Sequence, residues 1–121
     1  TNLMAKMSFH WTAKIEFGLE GPQPHPLLDN HGVKMVLVGL DPKQQIPAHP
    51  APAAVYYVIE GSGWMTVNDE RFEIGPGTIV RTPDGAQRGI EATQRLVFLG
   101  THGQCDEHHP AEASEERVAA Q

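Results

Sequence analysis

The chain has 121 residues, 40 % hydrophobic and 20 % charged, which excludes a disordered protein and suits one domain with a real core. Its formal net charge of −6 is uneven: from Gly103 onward five acids (Asp106, Glu107, Glu112, Glu115, Glu116) stand against one base, Arg117. The body is therefore close to neutral and offers no field for nucleic acid.

No apolar run approaches the roughly 20 residues of a membrane-spanning helix. The opening residues TNLMAKMSFHW hold no apolar core of signal-peptide length. The single cysteine, Cys105, has no internal disulfide partner. A cytoplasmic protein without a membrane partner is the expectation.

In chain order, residues 1–32 read as an N-terminal arm, with GLEGPQPHPLLDNHG (18–32) a long irregular loop. Strand-length runs follow, each rich in β-branched or aromatic residues and fenced by Gly, Pro, Asn or Asp. They are VKMVLVGL (33–40), AVYYVIEG (54–61), GWMTVN (63–68), RFEI (71–74), GTIVRTP (77–83) and RLVFLG (95–100). Asn68-Asp69 reads as a tight hairpin turn between two of them. Nothing in the body keeps a helical period over a helix length, so an antiparallel sandwich or small barrel over 33–102 is expected. Residues 103–121 form an acidic tail, in which 108–121 could make a short helix that is marginal on its own.

The framework over residues 39–92 resembles the cupin family. That family's second motif runs Gly, five residues, Pro-x-Gly, two residues, His, three residues, Asn. Here Gly77, Pro83-Asp84-Gly85 and position 88 reproduce the spacing without a gap, with Arg88 in the histidine place and Ala92 in the asparagine place. The first motif runs Gly, five residues, His-x-His, three or four residues, Glu, six residues, Gly. Gly61, preceded by VYYVIE, fits its closing glycine. With the four-residue spacer, Pro47 and His49 stand where the family has its two histidines and Ala54 where it has its glutamate; with the three-residue spacer, Ala48 and Pro50 take the histidine places. Asp41 stands in the place of the opening glycine, and Gly39 lies two residues early.

The resemblance implies an all-β double-stranded β-helix, the jelly roll of the cupin barrel, and a homodimer paired through its arm or sheet edges. It also implies a metal held by three histidines and a glutamate, but of these four places only His49 carries a ligand here. One imidazole does not hold a first-row metal, and a guanidinium repels a dication. No metal site and no cofactor are therefore expected, unless His25, His31 or His102 rebuild one. The CDEHH run (105–109) fits no standard zinc spacing.

Arg88 should face the barrel interior. A buried arginine needs an ionic partner, for which Glu60, Glu73 and Glu91 are candidates, or an anionic ligand. Strand alternation from Ala54 puts Tyr56 on the inner face and Tyr57 on the outer one. Trp11, Trp64, Met65, Phe72 and Phe98 read as core or interface, with Trp64 also a candidate for the barrel mouth.

The leading expectation is a barrel that binds a small polar or anionic molecule between His49, Tyr56 and Arg88, its usual metal site lost. An enzyme is the first alternative, either metal-dependent with unusual ligands or a metal-free isomerase or epimerase using a His–Tyr pair. A structural or regulatory protein with a filled barrel is the second.

Overall fold

The computed structural model describes residues 6–30 and 32–103. Among the described residues, nine strands follow a 3₁₀ turn at Trp11–Ala13: β1 (Gln23–Asn30), β2 (Val33–Leu40), β3 (Gln45–Pro50), β4 (Ala54–Glu60), β5 (Gly63–Val67), β6 (Glu70–Ile74), β7 (Ile79–Thr82), β8 (Gln87–Ala92) and β9 (Leu96–Gly103). They form two antiparallel sheets, one in the order β1-β2-β9-β4-β7 and one in the order β3-β8-β5-β6. This is the expected all-β jelly roll. His31, Cys105, the CDEHH run and the candidate helix at 108–121 lie outside the described residues.

Alternation sets the core. Val38 and Leu40 of β2, Val58 of β4, Met65 of β5, Ile90 of β8 and Leu96 and Phe98 of β9 are all buried between the sheets. Phe72 packs against them. Trp64 joins neither that core nor the cavity lining. Its neighbours Gly63 and Met65 are buried, whereas Trp64 lies on the other face, half-buried under the Arg71 guanidinium at 4.7 Å. The two-residue hairpin is present: Val67 pairs with Glu70, and Asn68 takes a left-handed φ of 54° that asparagine tolerates.

Three strands are absent from the sequence expectation. β1 contains Pro24 and Pro26, and β3 contains Pro47 and Pro50. Both are edge strands, where a residue without an N–H leaves no ladder bond unmade. The segment expected to be an irregular loop thus pairs along β2 from Gln23 to Asn30. β8, QRGIEA, hides because Arg88 and Gly89 interrupt its apolar alternation.

The chain before β1 packs over the outside of the five-stranded sheet. A Cβ on Gly39 would meet the Glu16 carbonyl and the Phe17 ring. Arg95 stacks on that ring at 4.1 Å and pairs with Asp41 at 2.9 Å. Gln44 donates to the Gly18 carbonyl at 2.6 Å.

Gly61 and Gly77 share nearly the same backbone, with φ of 89° and 88°. They differ in surroundings: a Cβ on Gly61 would run into the Arg95 carbonyl, while at Gly77 nothing lies within 4 Å. Gly77→Ala is expected to cost about 1 kcal/mol, the left-handed backbone alone. Gly61→Ala should cost about 3 kcal/mol or more, because main chain must also move. Urea denaturation of the two variants measures the difference; equal losses would contradict this packing.

Candidate functional site

One end of the barrel is closed by two loops rich in proline: residues 51–53 between β3 and β4, and residues 83–86 between β7 and β8. They are tied to each other, Gly85 N–H donating to the Ala51 carbonyl at 2.8 Å and Ala53 N–H to the Asp84 carboxylate at 3.1 Å. Pro50, Pro52 and Pro83 have no N–H, so the region carries more acceptors than donors. Arg88 supplies the missing donors.

Arg88 is 2 % exposed and makes six hydrogen bonds. Its Nε donates to Ala86 O (3.0 Å). Nη1 donates to Pro52 O (2.7 Å) and to the Tyr56 hydroxyl (3.4 Å), and Nη2 to Ala51 O (2.8 Å), Ala86 O (2.9 Å) and Pro83 O (3.2 Å). All five guanidinium hydrogens are thereby engaged, four carbonyl dipoles facing the charge. None of the three candidate glutamates is its partner. Glu91 pairs with Arg71 at 3.7 Å, Glu60 and Glu73 are exposed, and no carboxylate among the described residues ion-pairs with Arg88. The physical reason is the loops: carbonyls already at hand satisfy the charge without burying a second one.

Beside Arg88 lies a cavity of about 220 Å³. Val36, Val38, Ile46, Ala54, Ile90 and Phe98 make its apolar walls, and His49, Tyr56, Arg88, Thr101 and His102 bring the polar groups. His49 reaches it through an irregularity. Ile46 pairs with Ile90 and His49 with Arg88, with a bulge at the two residues between. Strict alternation would put residues 46 and 49 on opposite faces; the bulge restores both to the inner one. Gly89 lies opposite, where a Cβ would crowd Ile46 O at 3.1 Å and Ala48 N at 3.0 Å.

Tyr56 lines the cavity and meets Phe98 edge-on at 5.8 Å, while Tyr57 is exposed on the other face. Among the described residues, no group accepts a hydrogen bond from the Tyr56 hydroxyl. The two histidines share a tautomer logic. His49 Nδ1 lies 2.9 Å from Pro47 O and His102 Nδ1 lies 3.1 Å from Gly103 O. Carbonyls only accept, so each Nδ1 carries hydrogen and Nε2 is the ring nitrogen left for another partner.

The structure thus brings His49, Tyr56 and Arg88 to one cavity. It adds His102, whose inward position follows from the alternation of β9, and Thr101. His25 is not part of it, pairing instead with Leu37 on the outer face. Among the described residues, no three His, Cys, Asp or Glu side chains come together as a metal-binding group. The residues at the four family ligand positions do not fit a metal ion. Pro47 and Ala54 have no donor atom, and the fourth place is filled by a cation whose own hydrogen bonds are complete.

The strands define a double-stranded β-helix with a cavity of about 220 Å³ beside Arg88. The chain belongs to the cupin family, whose cupin-domain profile matches residues 36–100, more than half of its length. No curated protein matches the sequence.

Similar solved structures include an uncharacterised conserved protein with a double-stranded β-helix domain from Klebsiella pneumoniae. It is 16 % identical, with a TM-score of 0.76, and the match covers 82 % of this chain and 90 % of that one. An RmlC-like cupin from Shewanella frigidimarina is 17 % identical with a TM-score of 0.71, over 86 % and 96 % of the two chains. A Thermotoga maritima protein described as a predicted oxalate decarboxylase is 22 % identical with a TM-score of 0.65, over 69 % and 81 %. At these identities the likeness is one of fold.

Arg88→Lys tests the guanidinium's role. An ammonium has three donors and cannot reach four carbonyls and a hydroxyl in one plane. The variant is expected to lose about 3 kcal/mol in urea denaturation, and Arg88→Met at least as much. A change under about 0.5 kcal/mol, the range of ordinary surface substitutions, would show that the loops do not depend on it.

Proposed function

We propose that this cupin binds a small polar or anionic organic molecule in the cavity beside Arg88, without a resident metal. The observation that carries the reading is the cavity itself: about 220 Å³ of space, apolar on its walls and polar where His49, Tyr56 and His102 approach. A cavity of about 150 Å³ already accepts benzene, so a molecule of one ring or a branched chain fits. An interior filled by its own side chains would leave no such space, which disfavours the filled-barrel reading. An enzyme remains the alternative, since His49 Nε2 and the Tyr56 hydroxyl have the chemistry of an acid/base pair. Binding is the better supported reading because the cavity itself is what the described residues build, with mostly apolar walls.

A homodimer is part of the proposal. Val55 and Tyr57 of β4 and Ile79 of β7 are exposed on the outer face of the five-stranded sheet, with Tyr57 paired directly to Ile79. A second copy covering this face would bury all three. Light scattering on the untagged protein should give twice the chain mass, and the chain mass for a Tyr57→Glu, Ile79→Lys variant. A monomeric parent protein would remove the dimer from the account.

Gly100 offers a clean test of the cavity. It lines the space, and a Cβ there would only touch Tyr56 and Phe98 at 3.5 and 3.7 Å. Gly100→Val is expected to fill the cavity while keeping the fold. Wild type, screened by ligand-observed NMR against small monocyclic acids and neutral monocycles, should bind at one saturable site that Gly100→Val lacks. Elemental analysis of the same preparation should find metal far below one per chain. No saturable binding by wild type, or near-stoichiometric metal, would each overturn the corresponding half of the proposal.

A further inference from the structure

Resting on that reading, we infer that Tyr56, rather than Arg88, reads the ligand, and that the ligand class is a monocarboxylate with an apolar body of about one ring. Arg88 faces the cavity with a full charge but no free hydrogen: its six bonds occupy every N–H it has. Direct bidentate capture of an anion would require breaking bonds to the main chain. The one non-carbonyl member of its shell is the Tyr56 hydroxyl, which accepts from Nη1 at 3.4 Å. An oxygen that accepts from a cation turns its own hydrogen away from it, and a polarised hydroxyl is a better donor. Among the described residues, no acceptor takes that hydrogen, and Tyr56 lines the cavity.

The sign of the ligand group follows from the surroundings. Among the described residues, the cavity wall contains one guanidinium and no Asp or Glu. No carboxylate among the described residues ion-pairs with Arg88, so an anion at the Tyr56 hydroxyl would be the first negative charge next to it. Burial strengthens such an interaction relative to water. His49 and His102 lie on the same wall, but only the Tyr56 end pairs an unused hydroxyl hydrogen with the adjacent Arg88 charge, which makes it the carboxylate's place. The rest of the wall, Val38, Ile46, Ile90 and Phe98 among it, suits a ring.

Two probes of like shape separate the head group from the body: benzoate and toluene, each titrated into wild type and Tyr56→Phe. The substitution keeps the ring, its edge contact with Phe98 and the five carbonyl bonds of Arg88. Wild type should bind benzoate roughly ten-fold more tightly than toluene, and Tyr56→Phe should lose roughly that ten-fold for benzoate alone. If toluene binds wild type as well as benzoate does, or if benzoate affinity survives Tyr56→Phe, the assignment to Tyr56 is wrong while the binding cavity stands. If neither probe binds wild type, both the assignment and the cavity reading fall.

Discussion

A guanidinium buried without a carboxylate is costly unless something else answers its charge and its five hydrogens. Here the answer is main chain. Ala51, Pro52, Pro83 and Ala86 turn their carbonyls inward, and Arg88 meets all four. The dependence is mutual. Proline-rich loops have too few donors to satisfy themselves, and an arginine with no acceptor of its own is the complementary side chain. Because Arg88 sits on β8 and Tyr56 on β4, the same group also links the two sheets at the cavity end of the barrel.

The position makes this instructive. Residue 88 falls where the family's second motif places a metal-binding histidine, and the glycine and proline spacing around it is intact. The turn geometry that would aim an imidazole at a metal instead aims a guanidinium at two loops. The first motif differs from the family pattern as well: Pro47 falls in the bulge of β3, Ala54 packs under the cavity, and His49 is the motif's one imidazole facing it. The result is a cavity whose fixed charge belongs to the scaffold and whose adaptable polar groups are Tyr56, His49 and His102.

Much of this was readable before the structure. The six apolar runs became β2, β4, β5, β6, β7 and β9 within a few residues at each end, because alternation and glycine or proline boundaries are local signals. β1 and β3 were hidden by their prolines, which are harmless only because both strands lie at sheet edges, a fact of tertiary structure. The facing of Tyr56 and Tyr57 followed from alternation. That of His49 did not, since it depends on the bulge between Ile46 and His49. The Arg88 partners were misread because a sequence suggests ion pairs between side chains and is silent about carbonyls. The excess of acceptors in HPAPA and TPDGA was the available signal. His102 was among the histidines considered, but nothing local tied it to this cavity rather than His25.

The central claim is that Arg88 is a saturated structural donor and not a free anion-binding group. Side-chain nitrogen–proton NMR of the unliganded protein tests it directly. The account predicts separately resolved, slowly exchanging guanidinium protons for Arg88, beside the averaged, rapidly exchanging signals of exposed arginines such as Arg71 and Arg81. An Arg88 guanidinium that rotates and exchanges like those two would contradict it.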